Sequence, residues 1–248
     1  MGDLWVPGKP IGRRLFLGLL GAGAAGLAFT KWSYRADDAD SGTVAEAVPL
    51  GPMGQTPDIE SLIGQHPNIL YPERFRYYSV ADIPGYSERS WRLTVDGDGL
   101  DSSLRLRFND VTAFPNVAYR STFRCVNGWR VRNCVWRGVR VRDVIDAAHL
   151  NRRAKYVTFS SGDGIYTDSL SLQQARSDHA ILAFELNGSP LITEQGRPLR
   201  VIFPDMYGYK GVKWVRRLEV KSHRDLGFWE QRGWEIDAYV YNPSAVTG

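Results

Sequence analysis

The residue best equipped for chemistry in this 248-residue chain is Cys125. It stands in Phe123-Arg124-Cys125-Val126-Asn127-Gly128-Trp129-Arg130, where flanking arginines bias a thiol toward thiolate. A thiolate is both a nucleophile and a soft metal ligand. Asn127-Gly128 are turn residues, which places the thiol at a strand end, where sites form. Cys134 just precedes an alternating apolar run and reads as a small packed hydrophobe. Three readings of Cys125 stay open: a reactive or ligating thiolate, an inert buried thiol, or a disulfide with Cys134.

A second cluster lies further on. Gln195-Gly196-Arg197-Pro198-Leu199-Arg200 runs into a strand, and Tyr207-Gly208-Tyr209-Lys210-Gly211-Val212-Lys213-Trp214 follows. Glycine lets a ligand approach the backbone closely. If the loop folds back, Lys210, Lys213 and Arg200 join the backbone N–H groups in an anion cradle. The alternative is a glycine-rich hairpin with solvated lysines. His66, His149, His179 and His223 fit neither HExxH nor CxxCH spacing, and no Gly-x-Ser-x-Gly elbow or phosphate-binding Walker loop is present. No partner base can be assigned to Cys125, which argues against a thiol hydrolase.

Composition narrows the field. Hydrophobic residues make up 43% and charged residues 23%, which excludes a disordered chain and a multi-pass membrane protein. The net charge of +4 is too small to point to nucleic acid as a partner. Two cysteines exclude a disulfide scaffold and a four-thiolate metal site. Arginine dominates the cations after residue 47, a bias that suits oxyanions or reflects coding composition alone.

The elements that must position these residues are mostly strands. Trp91, Leu93 and Val95 alternate with polar residues, as do Leu104, Leu106 and Phe108 across the Asp96-Gly97-Asp98-Gly99 turn. Further strands are expected over Val135–Val141, Tyr156–Phe159, Gly164–Leu170, Ala180–Leu186, Leu199–Phe203 and Lys213–Val220. Short helices are expected over Thr56–Gly64, Arg142–Leu150 and Ser171–Arg176. The expected fold class is a β-rich α+β domain over residues 56–248.

Residues 1–55 stand apart. Arg13-Arg14 precedes an apolar run, Leu15 to Phe29, whose roughly 22 Å as a helix falls short of the roughly 30 Å bilayer core. Ile11-Gly12-Arg13-Arg14-Leu15-Phe16-Leu17 resembles a twin-arginine export signal, with an ordinary signal or an N-terminal anchor over residues 15–32 as the alternative. The expected organisation is a signal or anchor over 1–32, a linker over 33–55, and the domain after it. The expected location is the periplasm or the outer face of the cytoplasmic membrane.

Five ordered blocks carry a wider resemblance. They are Cys125-Val126-Asn127-Gly128-Trp129 with Val135 to Ile145, Leu182 to Leu191, Gly196 to Val201, Tyr207 to Trp214, and Gly227 to Trp234. Together they resemble the sulfite oxidase superfamily from about Tyr77 to Trp234. The resemblance implies a sulfite oxidase-type molybdopterin-binding domain with one molybdenum–molybdopterin, ligated by one cysteine at the position of Cys125. It further implies that Arg200, Gly211, Val212 and Lys213 hold the pterin phosphate. Gln195 takes the position of an Asn or His in relatives, Ser161 that of a Thr near the cofactor, and Tyr78 and Ser79 fall in the N-terminal contacting segment.

Animal and plant sulfite oxidases follow the metal cysteine with Ala-Gly-Asn-Arg-Arg, whereas Val126-Asn127-Gly128-Trp129 follows here. That pattern is similar to bacterial members, the periplasmic methionine sulfoxide reductases among them. The implied activity is oxo transfer, with reduction of an S- or N-oxide as first reading. Sulfite oxidation, with Arg130, Arg132 and Arg137 reaching the pocket, and a non-catalytic cofactor-binding module are the alternatives. No haem motif is seen, so the expected partners are a small-molecule oxo-transfer substrate and a separate redox partner, such as a membrane haem protein or a quinone-linked one.

Overall fold

The structure is a computed structural model that describes residues 45–47, 75–126 and 128–240. The expected signal and the expected helix over 56–64 lie outside the described residues. Alternating burial builds two sheets. One contains β1 (Ala45–Ala47), β4 (Asn116–Arg124), β5 (Arg130–Arg140), β8 (Ile181–Leu186) and β10 (Arg200–Ile202), paired in that order, with β9 (Ser189–Pro190) on β8. The other runs β3 (Leu104–Arg107), β2 (Arg92–Asp96), β11 (Val215–Lys221), β6 (Tyr156–Ser161) and β7 (Thr167–Ser171). β2 and β11 run parallel and the other pairs are antiparallel. Among the described residues, helix is confined to α1 (Phe108–Thr112), α2 (Val141–Asp146), α3 (Leu172–Ala175) and short 3-10 turns. The β-rich α+β expectation agrees with this arrangement.

β8 explains how the layers hold together. Its odd and even residues point to opposite faces, as strand geometry requires, and both faces are apolar. Leu182 and Phe184 join Trp91, Leu93, Phe159 and Leu218 in a core between the sheets. Ile181 and Ala183 face the other way, onto Tyr119, Cys134, Trp136 and Ile202. Fully burying side chains of this size stabilises the fold by about 1.5–3 kcal/mol each.

Several boundaries differ from the sequence reading. Ala45–Ala47 pairs with Tyr119–Ser121, so the expected linker contains a strand; a sequence without apolar alternation can still pair, because the ladder is made by backbone groups. β5 begins at Arg130, so Cys134 lies inside it rather than before it. The β6–β7 turn takes up Gly164, and β7 begins at Thr167. α2 ends at Asp146, short of the expected Leu150. α3 matches its expectation through a reciprocal cap, in which the Gln174 backbone N–H donates to the Ser171 hydroxyl and the Ser171 N–H to the Gln174 side chain.

Candidate cofactor pocket

Strand ends from both sheets meet at one pocket. Cys125 stands in the turn after β4, Ser161 at the end of β6, Arg200 at the start of β10, and Lys213 just ahead of β11. The chain from 212 to 215 lies along 199–201 through bonds from Val201 N–H to the Val212 carbonyl (2.8 Å) and from Val215 N–H to the Leu199 carbonyl (3.0 Å). The turn holding Cys125 closes with its N–H donating to the Trp129 carbonyl (2.9 Å) and its carbonyl accepting from Gly128 N–H (3.0 Å). The pocket encloses about 1100 Å³ of empty space, including its open mouth.

Of the residues singled out in the sequence, Cys125, Tyr78, Ser79, Ser161, Arg200, Gly211 and Lys213 all line this space. Gln195 and Val212 do not; they sit behind the wall. The Gln195 carbonyl accepts from Arg200 Nη1 (3.0 Å), its side-chain oxygen from Ile192 N–H (3.1 Å), and its amide nitrogen donates to the Tyr77 hydroxyl (3.4 Å). Val212 is fully buried in the core between the sheets.

The electrostatics of the wall are uneven. Arg200 is 5% exposed, donates to the Gln195 and Gly211 carbonyls, and lies against the faces of Phe123 and Trp136. Its Nε has no hydrogen-bond partner, and no carboxylate pairs with it among the described residues. Burial pushes its pKa down to about 10, so it stays charged at neutral pH. Lys213 is half-buried, donates to the Tyr78 carbonyl (2.7 Å) and the Glu194 carbonyl (3.1 Å), and sits 4.1 Å from the Trp214 ring centre. Burial, and then the neighbouring Arg200, push its ammonium down to about 7. Gly196 lets these cations close up. It has φ +109°, and a Cβ there would lie 3.0 Å from Lys213 Cβ and 3.1 Å from Arg200 Cβ.

Lys210 does not join the cradle. The 3-10 turn Gly208–Lys210 points its side chain away from the pocket, into a pairing with Asp168 (2.5 Å) and Glu230. Nor do Arg130, Arg132 and Arg137 line the pocket; Arg137 is turned to Asn116 (3.4 Å) and Glu185 (3.9 Å) on the sheet face. The two cysteines are both free, so the disulfide is not formed. Burial among apolar side chains raises the Cys134 thiol to about 12, in keeping with a packing role.

The sequence reading missed most of the aromatic wall. Phe123, Trp129, Tyr166, Tyr209, Trp229 and Trp234 all line the pocket, as does Arg76 near its exposed rim. The Tyr166 hydroxyl donates to the Tyr209 carbonyl (2.5 Å), and the Trp229 and Trp234 rings lie 4.4 Å apart. The concentration of tryptophan over Gly227 to Trp234 was the available signal.

Comparison with known proteins fits this geometry. The family described as "Oxidoreductase molybdopterin binding domain" matches residues 80–229. An "Uncharacterized oxidoreductase YuiH" of Bacillus subtilis is 34% identical over 171 residues, which cover 68% of this chain and 85% of that protein. The mitochondrial sulfite oxidase of Rattus norvegicus is 29% identical over 180 residues, 62% of this chain but only 33% of the rat enzyme. Among solved structures, the sulfane dehydrogenase SoxCD from Paracoccus pantotrophus superposes with a TM-score of 0.58 at 21% identity, over 76% of this chain and 55% of that one. That last likeness concerns the fold. The matched stretch spans more than half of the chain and contains Cys125, Ser161, Arg200 and Lys213, so this protein belongs to the molybdopterin-binding oxidoreductases and is a molybdenum-dependent enzyme of the sulfite oxidase superfamily.

Proposed function

We propose that this protein is an exported oxo-transfer enzyme that reduces an S- or N-oxide, with Cys125 as the one protein ligand to its molybdenum. The observation that carries the direction is the pocket wall. Phe123, Trp129, Trp229 and Trp234 line it, while Arg130, Arg132 and Arg137 stay outside. An aromatic wall suits an uncharged oxide better than the sulfite dianion, whose desolvation needs paired cations.

The residues fit a molybdopterin. Cys125 brings one soft ligand to the pocket, and no cluster of three His, Cys, Asp or Glu side chains among the described residues can hold a metal ion alone. A metal held by Cys125 would take its remaining ligands from the cofactor. In the same pocket, Arg200 keeps an unpartnered buried Nε, and neither Arg200 nor Lys213 has a carboxylate partner among the described residues. Such cations favour a bound phosphate. When bound, the cofactor supplies the two-electron oxo-transfer chemistry. The chain holds it: Arg200 and Lys213 neutralise the phosphate, the Gly211 backbone allows close approach, and Tyr78, Ser79 and Ser161 border the remaining rim. The aromatic side chains exclude water and orient the substrate oxide.

In this reading residues 1–32 direct twin-arginine export to the periplasm or the outer face of the cytoplasmic membrane, and residues 15–32 can serve as an anchor. No helix among the described residues is long and apolar enough to cross a membrane. Electrons come from a separate redox partner, such as a membrane haem protein or a quinone-linked one, because the chain is read as carrying no haem.

The test uses holoenzyme from a host that makes and inserts the cofactor. S- and N-oxides are offered with a reduced viologen dye, and sulfite with ferricyanide. Oxide reduction without sulfite turnover is expected; the opposite pattern overturns the proposed direction. Absence of molybdenum from the purified chain would favour the non-catalytic module. Cys125→Ser should keep the fold and lose turnover to background, and full activity in that variant would remove Cys125 from the metal.

A further inference from the structure

Three segments of the chain converge on one ammonium behind the pocket. Lys210 is 1% exposed, and its Nζ pairs with Asp168 (2.5 Å) and Glu230 and donates to the Ser169 carbonyl (3.2 Å). Asp168 and Ser169 belong to β7. Glu230 follows the pocket residue Trp229, and its second oxygen accepts from Gly227 N–H (2.7 Å). Gly227 is closely packed: a Cβ would sit 3.0 Å from both Cα and Cγ of Asp168. On the same segment, Phe228 N–H donates to the Thr167 carbonyl (2.8 Å). These anchors between residues 227–230 and β7 thus lie at or beside this ion cluster.

None of the three ionic side chains lines the pocket, yet Lys210 and Glu230 are next to residues that do. Lys210 lies between Tyr209 and Gly211, and Glu230 directly follows Trp229. Beyond the cluster the wall is held by ring contacts and a few further bonds: Tyr209 lies edge-on to Trp234 at 5.0 Å, its carbonyl accepts from the Tyr166 hydroxyl (2.5 Å), its hydroxyl donates to the Glu235 carbonyl (2.6 Å), and Trp234 N–H donates to the Trp229 carbonyl (3.2 Å). Apolar contact is not directional, so the ring contacts do little to fix how the turn carrying Trp229 sits against the loop carrying Tyr209. Ion pairs buried with fixed hydrogen bonds define one geometry.

We infer that Lys210, Asp168 and Glu230 are positioning residues that lock the aromatic wall of Tyr209, Trp229 and Trp234, and so set substrate binding without contributing to the cofactor anchor. The inference rests on the proposed function in that this wall is taken as the substrate side. Removing one carboxylate oxygen from the cluster frees either the Gly227 N–H or the Lys210 ammonium, because one side-chain oxygen cannot replace two. The Trp229–Trp234 pair then loses its fixed separation.

Glu230→Gln holoenzyme is the test, with dimethyl sulfoxide as probe substrate and viologen as donor. We expect KM to rise about tenfold, with kcat and molybdenum per chain within about twofold of the parent. A second readout needs no substrate: the circular dichroism band of the coupled indoles, identified by its loss in Trp234→Phe, should fall to about half in Glu230→Gln. A retained band with unchanged KM overturns the inference, as does a defect confined to kcat and molybdenum content. Should Glu230→Gln fail to accumulate folded, Glu230→Asp keeps the charge but is one methylene shorter, and the same two readouts apply. If the parent enzyme reduces neither S- nor N-oxides, the proposed function fails while the indole band still decides the clamp.

Discussion

Lys210 and Lys213 are three residues apart on one loop, and the fold treats them oppositely. Lys210 is turned inward and neutralised by two carboxylates. Lys213 is turned toward the pocket and, like Arg200, donates hydrogen bonds to carbonyl oxygens and lies against aromatic rings, with no carboxylate partner among the described residues. A cation matched by carboxylates has its charge spent inside the protein. A cation held by carbonyls is oriented but not neutralised, and keeps its attraction for an anion. The depressed pKa values of Arg200 and Lys213 express the cost of that arrangement, since both cations are desolvated without a countercharge. Inward pairing and pocket-facing charge are thus separated within the stretch from Arg200 to Lys213.

The contrast can be broken at Lys210 first. Lys210→Met leaves Asp168 and Glu230 facing each other, and should destabilise the protein by about 3–5 kcal/mol in urea unfolding. The fraction that stays folded should keep its molybdenum. Arg200→Met should do the reverse. It removes a buried cation that lacks a carboxylate and refills the space, so the cofactor-free chain should melt at the same or a higher temperature. Loss of charged hydrogen bonds worth about 1.5–3 kcal/mol should lower molybdenum per chain about tenfold or more under dilution. If both variants lose stability and cofactor alike, the division of labour is wrong.

Two smaller effects concern pH. Lys213 has a folded pKa of about 7, below its ordinary value, so the unfolded chain binds more protons between about 7 and 10.5. The stability of the cofactor-free chain from this group therefore rises with pH across that window. An anion binds the protonated form better, so sulfate should raise the melting temperature more at pH 6 than at pH 8.5, and Lys213→Met should abolish the difference. Asp168 is the opposite case. Burial raises its carboxyl to about 7, so its stabilising contribution is present below about pH 4 and is lost as pH rises to 7. Asp168→Asn should flatten that decline, and a melting curve series from pH 4 to 8 would show it as the smallest of these changes.

Much of the frame was legible from short-range pattern. β2, β6 and β8 were read from runs whose apolar spacing matches a strand buried on one or both faces. β4 escaped, because Asn116–Arg124 mixes arginine, threonine and serine with apolar residues, and its burial does not alternate cleanly. α1 escaped because it is one turn long, held by the Asp110 carboxylate accepting from Arg107 N–H. Missing β4 mattered, since its C-terminal end carries Cys125 into the pocket.

What the sequence settled alone was composition and motif: a single candidate thiolate at Cys125, a basic glycine-rich loop, and five blocks in the order of one superfamily. Those depend on residue type and short spacing, which a linear chain displays. Only the tertiary structure decided which cations serve the pocket, that Gln195 and Val212 stand behind the wall, and that distant aromatic residues close it. Neighbours along the chain share a loop but not a direction. The way each side chain turns depends on what the rest of the fold offers it: carboxylates from β7 and the 227–230 segment for Lys210, and an open pocket for Lys213.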